Sequence, residues 1–374
     1  MAALGLAAFL SAAMSAVVCP GEVMAGPGQK AGSQMPLPLK VDKTHVVNSR
    51  GERVRLRGVN APDLAWSSDG EGHRVIKAME VALNDWHANI IRLPLSLDRW
   101  FGKAPHQKDG GKSYRVVVHQ AVELCASHRS YIILDLHETH VGEWGKNLGY
   151  HCMPDRTSLD FWKEVAETYK NHPAVIFDLF NEPNHVSWEV WQHGGKVNET
   201  LKDKSEHEYE TAGMQAMLDT VRATGAKNVV IVGGLNFASD LSWFKKGNRL
   251  DDRGGNGMLY AFHWYGVKGE SMAQRVVGIE KVVKSLPVIV SEFGSGLRES
   301  DKRFTPEAHE QAEQWLRQVL QVLEDGQCNW VAWSMHSGAF PCLITDSKFT
   351  PSPWFGSWVQ KALLGKLPRY EKPR

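Results

Sequence analysis

Charge of one sign is missing from this chain. Its 43 Lys and Arg stand against 42 Asp and Glu, a formal net charge of +1. Binding to nucleic acid or to an anionic bilayer needs a basic excess, so neither is expected as a partner. Long apolar runs are missing as well. Beyond the first twenty-five residues no run reaches the ~18 needed to span a bilayer, and no membrane span is expected. No Gly-rich phosphate turn follows the first strand candidate, which argues against a doubly wound nucleotide-binding sheet. Nothing in 26–374 marks an internal repeat or a second domain.

Cysteine is scarce, with 5 in 374 residues. Cys19 lies in an Ala/Leu-rich N-terminal stretch running through Val18, followed by Val23 and Ala25 at the −3 and −1 positions before Gly26. Residues 1–25 therefore read as a secretory signal peptide cleaved near Ala25, although no Lys or Arg precedes Lys30 to supply the usual positive start. A lipoprotein site at Cys19 is disfavoured because Val18 stands where a small residue belongs. Export, extracellular or periplasmic, would permit disulfides among Cys125, Cys152, Cys328 and Cys342. Cys328 and Cys342 flank one strand and its loop and could pair. Cys125, on the apolar side of a helix candidate, reads as a buried thiol.

What is present is a sizeable apolar complement, 43% hydrophobic with 14 Trp, enough for a large core. Trp faces also grip sugar rings through their flat apolar surface. Residues 26–43 are rich in Gly, Pro, Ser and Lys and read as a flexible lead-in to a single domain over 44–374. A hairpin is expected from Thr44–Val47 through the turn Asn48–Gly51 into Arg53–Gly58. Short apolar runs then alternate with amphipathic stretches, the pattern of a parallel sheet wrapped by helices. The strand candidates are Leu56–Asn60, Asn89–Pro94, Tyr131–His137, Val175–Glu182, Val229–Gly233, Met258–His263, Pro287–Glu292 and Trp330–Ser334.

Between them, Val75, Ile76, Met79, Leu83 and Trp86 share one face of a helix predicted over 73–87. Another helix is framed by Thr305 as N-cap, Pro306 at its first position and Gly326 just past its end. Eight strands with intervening helices predict an α/β fold, a (β/α)8 TIM barrel with an N-terminal hairpin; an open doubly wound sheet is the alternative. Long segments follow the strands at 138–158, 184–205, 236–256 and 335–352, all on the face where such barrels carry their chemistry.

Two strand candidates run into a glutamate, Glu182 and Glu292, 110 positions apart (292 − 182). Paired carboxyls at strand ends can serve a glycosidase. Pro183 forces the chain to turn after Asn181-Glu182, presenting both at the barrel mouth. Glu182, if burial keeps it protonated, can protonate a departing glycosidic oxygen; a rim ion pair is the plainer role. Glu292 as a carboxylate can attack an anomeric carbon if it stands roughly 5 Å from the acid. Arg92 and Tyr265 are candidates to orient it, although Arg92 could equally be a structural ion pair. Asn181 is placed to meet a sugar 2-hydroxyl. His137 and His263, ending their strands, suit polar positioning. Trp333 suits a platform under the reacting sugar, with core filling as the alternative.

In order along the chain, Leu56-Arg-Gly-Val-Asn60, Ile91-Arg-Leu-Pro94, Leu134-Asp-Leu-His137, Phe180-Asn-Glu-Pro183, His263-Trp-Tyr265, Ser291-Glu-Phe-Gly294 and Trp333 resemble the motifs of glycoside hydrolase family 5, the cellulase-containing family of retaining barrel glycosidases. The resemblance spans about residues 44–360. It implies Glu182 as general acid/base and Glu292 as nucleophile, with Arg92, His137, Asn181, His263, Tyr265 and Trp333 in support. It implies no cofactor and a β-linked oligo- or polysaccharide substrate. β-1,4-glucan is expected first, β-mannan or another β-glycan or β-glycoside second, and the protein is expected to be a monomer.

Glu138-Thr139-His140 departs from the polar or aromatic residue that many cellulases of the family carry after this His, and the loop containing Trp144, Tyr150 and His151 fits no single substrate. His137-Glu-Thr-His140 with His263 raises a metal hydrolase, but the spacing is not H-E-x-x-H and the motif sits at a strand end rather than on a helix; no metal is expected. A non-catalytic carbohydrate-binding barrel is the other class, and it would leave both glutamates unexplained.

Overall fold

The computed structural model describes residues 35–139, 151–200, 204–265, 281–295 and 305–370. The expected signal peptide, His140, Trp144 and Tyr150 lie outside the described residues. Twelve strands are described: β1 (Leu39–Asp42), β2 (His45–Asn48), β3 (Arg57–Asn60), β4 (Ile90–Ser96), β5 (Tyr131–Glu138), β6 (Val175–Asp178), β7 (Gly195–Thr200), β8 (Glu206–Thr211), β9 (Val230–Gly233), β10 (Met258–Tyr265), β11 (Val288–Gly294) and β12 (Asn329–Ala332). β1–β2 and β7–β8 are antiparallel hairpins, and the other eight strands are parallel.

The eight close into a barrel because β12 pairs with β3, Trp330 opposite Arg57 and Ala332 opposite Val59. Closure rules out the open doubly wound alternative. Gly58 permits it locally: a Cβ there would stand 1.7 Å from the carbonyl oxygen of Ile90 on the neighbouring strand.

Strand alternation divides the apolar residues into two cores. Leu56, Ile90, Ile133, Ile176, Ile231, Leu259, Ile289 and Val331 point inward and fill the lower barrel. Ile91, Leu93, Leu134, Phe177, Val232 and Val290 point outward and pack beneath the helices. Full burial of each such side chain contributes about 1.5–3 kcal/mol. The upper inner positions are polar: Asn60, Arg92, Asp135, His137, Asp178 and His263 are all buried. A core that turns polar at one end marks where the barrel works.

The helix Pro306–Asp325 forms as the sequence predicts. The Thr305 hydroxyl accepts from the Ala308 N–H at 3.1 Å, and Leu316, Val319, Leu320 and Leu323 bury one face. The helix expected over 73–87 spans Gly70–Asn84, with Val75, Met79 and Leu83 buried.

Two expectations shift. The turn at 48–51 is present, its Gly51 N–H donating to the Asn48 carbonyl at 2.9 Å, but the ladder lies one strand earlier. Leu39–Asp42, inside the expected lead-in, pairs with His45–Asn48. It does so because Leu39 and Val46 drop onto the lower barrel core. The strand expected to run to Glu182 stops at Asp178: the Leu179 N–H donates to Ile231 on β9 and the Asn181 N–H to Leu136 on β5, so the chain splays out of the ladder.

Of the long segments on the upper face, 184–205 contributes the helix Trp188–His193 and the strand β7, and β8 completes the hairpin. Cys125 is a buried thiol, pushed up by burial. Cys328 and Cys342 are each buried, and no disulfide joins them. Among the described residues no helix is long and apolar enough to cross a membrane.

Candidate active site

Glu292 reaches the barrel interior through a break in strand register. Ala261 on β10 opposes Ile289 on β11, but His263 opposes Glu292, so two steps on one strand face three on the other. A slip of one residue exchanges the two faces of a strand. Without it, Glu292 would follow Val288 and Val290 outward. With it, the carboxyl turns in at the mouth.

There it is held on both oxygens. Arg92 Nη1 donates to Oε1 at 2.8 Å and the Tyr265 hydroxyl donates to Oε2 at 2.7 Å. Arg92 is buried completely and spends its other N–H groups on Asp178 (Nε, 3.0 Å), Asn60 (Nη1, 3.1 Å) and Asn181 (Nη2, 2.8 Å); its Nη2 is also 3.1 Å from an Asp135 oxygen. Burial opposes the guanidinium charge, but Asp135, Asp178 and Glu292 outweigh it and raise Arg92 above its ordinary range. Burial pushes the Asp135 and Asp178 carboxyls up, against the pull of Arg92. Burial likewise raises the Tyr265 hydroxyl, reinforced by Glu292.

Glu182 faces Glu292 across the mouth with 31% of its side chain exposed. His263 Nδ1 stands 2.8 Å from Glu182 Oε1 and 3.6 Å from Glu292 Oε2. The facing atoms of the two carboxyls and this imidazole all lie within 4.8 Å of one another. Burial raises the Glu182 carboxyl, partly offset by His137 and Arg92. Burial also lowers His263 to about 3, so the imidazole between the carboxyls is neutral at working pH.

His137 Nδ1 is 2.7 Å from Asp135, its Nε2 is 3.4 Å from Asn181 Nδ2, and its ring stacks on Trp333 at 5.4 Å and 11°. Trp333 is only partly buried and its peptide bond to Ser334 is cis. All eight residues singled out from the sequence thus meet in one cluster.

Asn60, Asp135 and Asp178 were missed as site residues. Asn60 ties strands together, its Nδ2 donating to the carbonyls of Ser291 (3.0 Å) and Ala332 (3.2 Å) while its Oδ1 accepts from Arg92. A signal for the two aspartates was available: each interrupts an apolar strand on the same inner parity as Ile133 or Ile176, and a buried carboxylate there calls for a buried cation.

The Glu182–His263–Glu292 trio has the reach to hold a metal ion, but the Arg92 guanidinium on Glu292 already supplies the positive charge. His137, the described end of the other metal candidate, has Nδ1 committed to Asp135.

A closed (β/α)8 barrel with two carboxyls facing each other at the strand ends is the layout of a barrel glycoside hydrolase. The chain matches the cellulase family, glycosyl hydrolase family 5, over residues 47–338, and belongs to it. It is 25% identical over 333 residues to Endoglucanase C of Evansella cellulosilytica, covering 80% of this chain and 36% of that protein. It is 22% identical over 295 residues to Endoglucanase A of Butyrivibrio fibrisolvens, covering 78% and 59%. The chain therefore spans about a third and under two thirds, respectively, of the length of these curated relatives. Among solved structures, a beta-glucanase of Saccharophagus degradans in complex with cellotetraose shares the fold with a TM-score of 0.66 at 20% identity, over 92% of this chain and 98% of that one. The catalytic domain of a Thermobifida fusca endoglucanase gives a TM-score of 0.58 at 19% identity, over 87% and 97%.

Proposed function

We propose that this protein is a retaining endo-β-glucanase that cleaves β-1,4-glucan by double displacement. The observation that carries the reading is the approach of the two carboxyls, whose facing oxygens lie within 4.8 Å of each other. Retaining glycosidases hold their carboxyls about 5–5.5 Å apart, whereas inverting ones leave about 6.5–9.5 Å for a water.

Glu292, oriented by Arg92 and Tyr265, attacks the anomeric carbon and forms a glycosyl-enzyme ester. Glu182, kept protonated by partial burial, gives its proton to the departing oxygen. It then takes a proton from the water that releases the sugar. Neutral His263 lies at hydrogen-bond distance from Glu182 in either protonation state, accepting from the acid or donating to the carboxylate, according to tautomer. Asn181, held by Arg92, is placed for the sugar 2-hydroxyl, and Trp333 supplies the apolar floor. His137, stacked on Trp333, holds that indole in place.

The glucan preference rests on the family and on the relatives named as endoglucanases. Export is part of the same reading, supported by the apolar stretch and small residues before Gly26.

The test is reducing-sugar release by the purified protein on cellulose derivatives, mixed-linkage glucan, mannan, glucomannan and xylan, beside a Glu292→Gln control. Activity on β-1,4-glucan that vanishes in the control is expected. Activity confined to mannan would overturn the substrate and keep the mechanism. Silence on every polymer and on short β-glycosides would overturn both.

A further inference from the structure

On the upper face, outside the carboxyl pair, two histidines and a glutamate converge from separate segments. Glu199 on β7 and His207 on β8 are direct cross-strand partners, so their side chains project from the same face of the hairpin. His151 arrives from the segment after β5, and its Nδ1 meets Glu199 Oε1. One donor atom from each of the three lies within 4.8 Å of the others. The His151 and Glu199 side chains are only 10% and 7% exposed.

The surroundings hold the trio in register. The His151 and His207 rings stack at 5.7 Å and 13°, and Tyr209, two residues beyond His207, lies 4.5 Å from the His151 ring. The Tyr209 hydroxyl donates to the Met153 carbonyl at 2.8 Å. The second Glu199 oxygen accepts from the Cys152 N–H at 3.2 Å. Burial works to raise the Glu199 carboxyl, yet its hydrogen bond and charge interaction with His151 hold it below its ordinary range.

Among the described residues, two other trios have comparable reach. Glu182, His263 and Glu292 are the reacting centre already described. Asp63, Glu71 and His336 have Arg74 Nη1 at 3.3 Å from Glu71, a cation that opposes a second one. Among the described residues Glu199 pairs with His151, itself a metal-ligand type, rather than with a Lys or Arg.

We propose that His151, Glu199 and His207 bind one zinc-class divalent ion that fastens the segment after β5 to the β7–β8 hairpin. Two imidazoles and a carboxylate are the donor set of borderline transition metals, whereas calcium and magnesium ask for oxygen alone. Water completes the fourth position. The clamp is structural: the Cys152 carbonyl accepts from the Asn184 N–H at 3.0 Å, so the fastened segment braces the chain two residues past Glu182.

The test strips the purified full chain with chelator, returns Zn(II), removes excess by dialysis, and measures bound metal by elemental analysis beside thermal unfolding. One zinc per chain and a Tm raised by several degrees on zinc addition are expected, both lost in His207→Ala and in His151→Gln. The two variants guard against one failing to fold, which circular dichroism checks. Cobalt(II) uptake with the intense visible bands of a four-coordinate ion is the spectroscopic counterpart. No stoichiometric zinc in the wild type, or equal zinc in both folded variants, would overturn the proposal.

Discussion

Arg92 Nη1 stands 2.8 Å from Glu292 Oε1 inside a fully buried guanidinium cage, and every donor edge of that cage faces a carboxylate or an amide oxygen. One cation is thus shared by three carboxyls, from Asp135, Asp178 and Glu292. A buried charge needs such partners to be tolerated, and the rigid fork of Arg fixes their geometry in return. The nucleophile candidate is aimed from beneath while its other oxygen stays toward the mouth.

Glu292→Gln keeps a side chain whose amide oxygen can still accept from Arg92 while its NH2 group turns to donate to the Tyr265 oxygen, so the fold is expected to survive. The nucleophile is gone, and turnover is expected to fall by roughly 10⁴–10⁶. Steady-state rates beside a circular dichroism melt check both halves. A folded variant with near-normal kcat would sink the nucleophile assignment.

Tyr265→Phe removes one donor from Glu292 Oε2 and leaves the ring in place. Its hydroxyl donates to the nucleophile candidate, so kcat is expected to drop by about 10²-fold with KM little altered. A change confined to KM would assign Tyr265 to sugar binding instead.

Glu182 must be protonated in the first half-reaction, and burial raises its pKa above the ordinary carboxylate value. Activity is therefore expected to fall as pH rises through that elevated value. Glu182→Ala is expected to flatten this alkaline limb on substrates with good leaving groups and to regain turnover when azide is supplied as an outside nucleophile. A limb unchanged in the variant, measured across pH on an activated aryl glycoside, would transfer the acid role to another group.

The eight barrel strands were legible because each is a short apolar run, and all but Val229–Gly233 carry a polar residue toward the upper end. The carboxyl pair was legible for a local reason too: Pro183 forces a turn right after Glu182, and Glu292 closes the apolar run that begins at Pro287. The inward turn of Glu292 was not, because it depends on the slipped register between His263 and Glu292, which pairing rather than composition decides. The Leu39–Asp42 strand was hidden by its length, since four residues give alternation too little room and its stability comes from the barrel floor it covers. The His151–Glu199–His207 cluster was invisible for a similar reason. Glu199 and His207 are neighbours only once β7 folds onto β8.

Asp63 is buried with neither carboxyl oxygen hydrogen-bonded among the described residues, and His336 Nε2 comes no closer than 4.0 Å. Burial, with Glu71 adding to it, pushes its pKa up to about 7. The folded pKa lies above the unfolded one, so the folded state binds the extra proton between them. Stability from this proton is fully present below the unfolded value near 4 and is lost as pH rises through about 7. The span corresponds to roughly 4 kcal/mol at most. Asp63→Asn cannot ionise and escapes the loss. Its advantage over the wild type in urea unfolding is therefore expected to grow from pH 5 to about pH 7 and to level off above it. A difference that stays flat across that range would mean the carboxyl finds a counter-charge at alkaline pH, and the burial argument for Asp63 would fail.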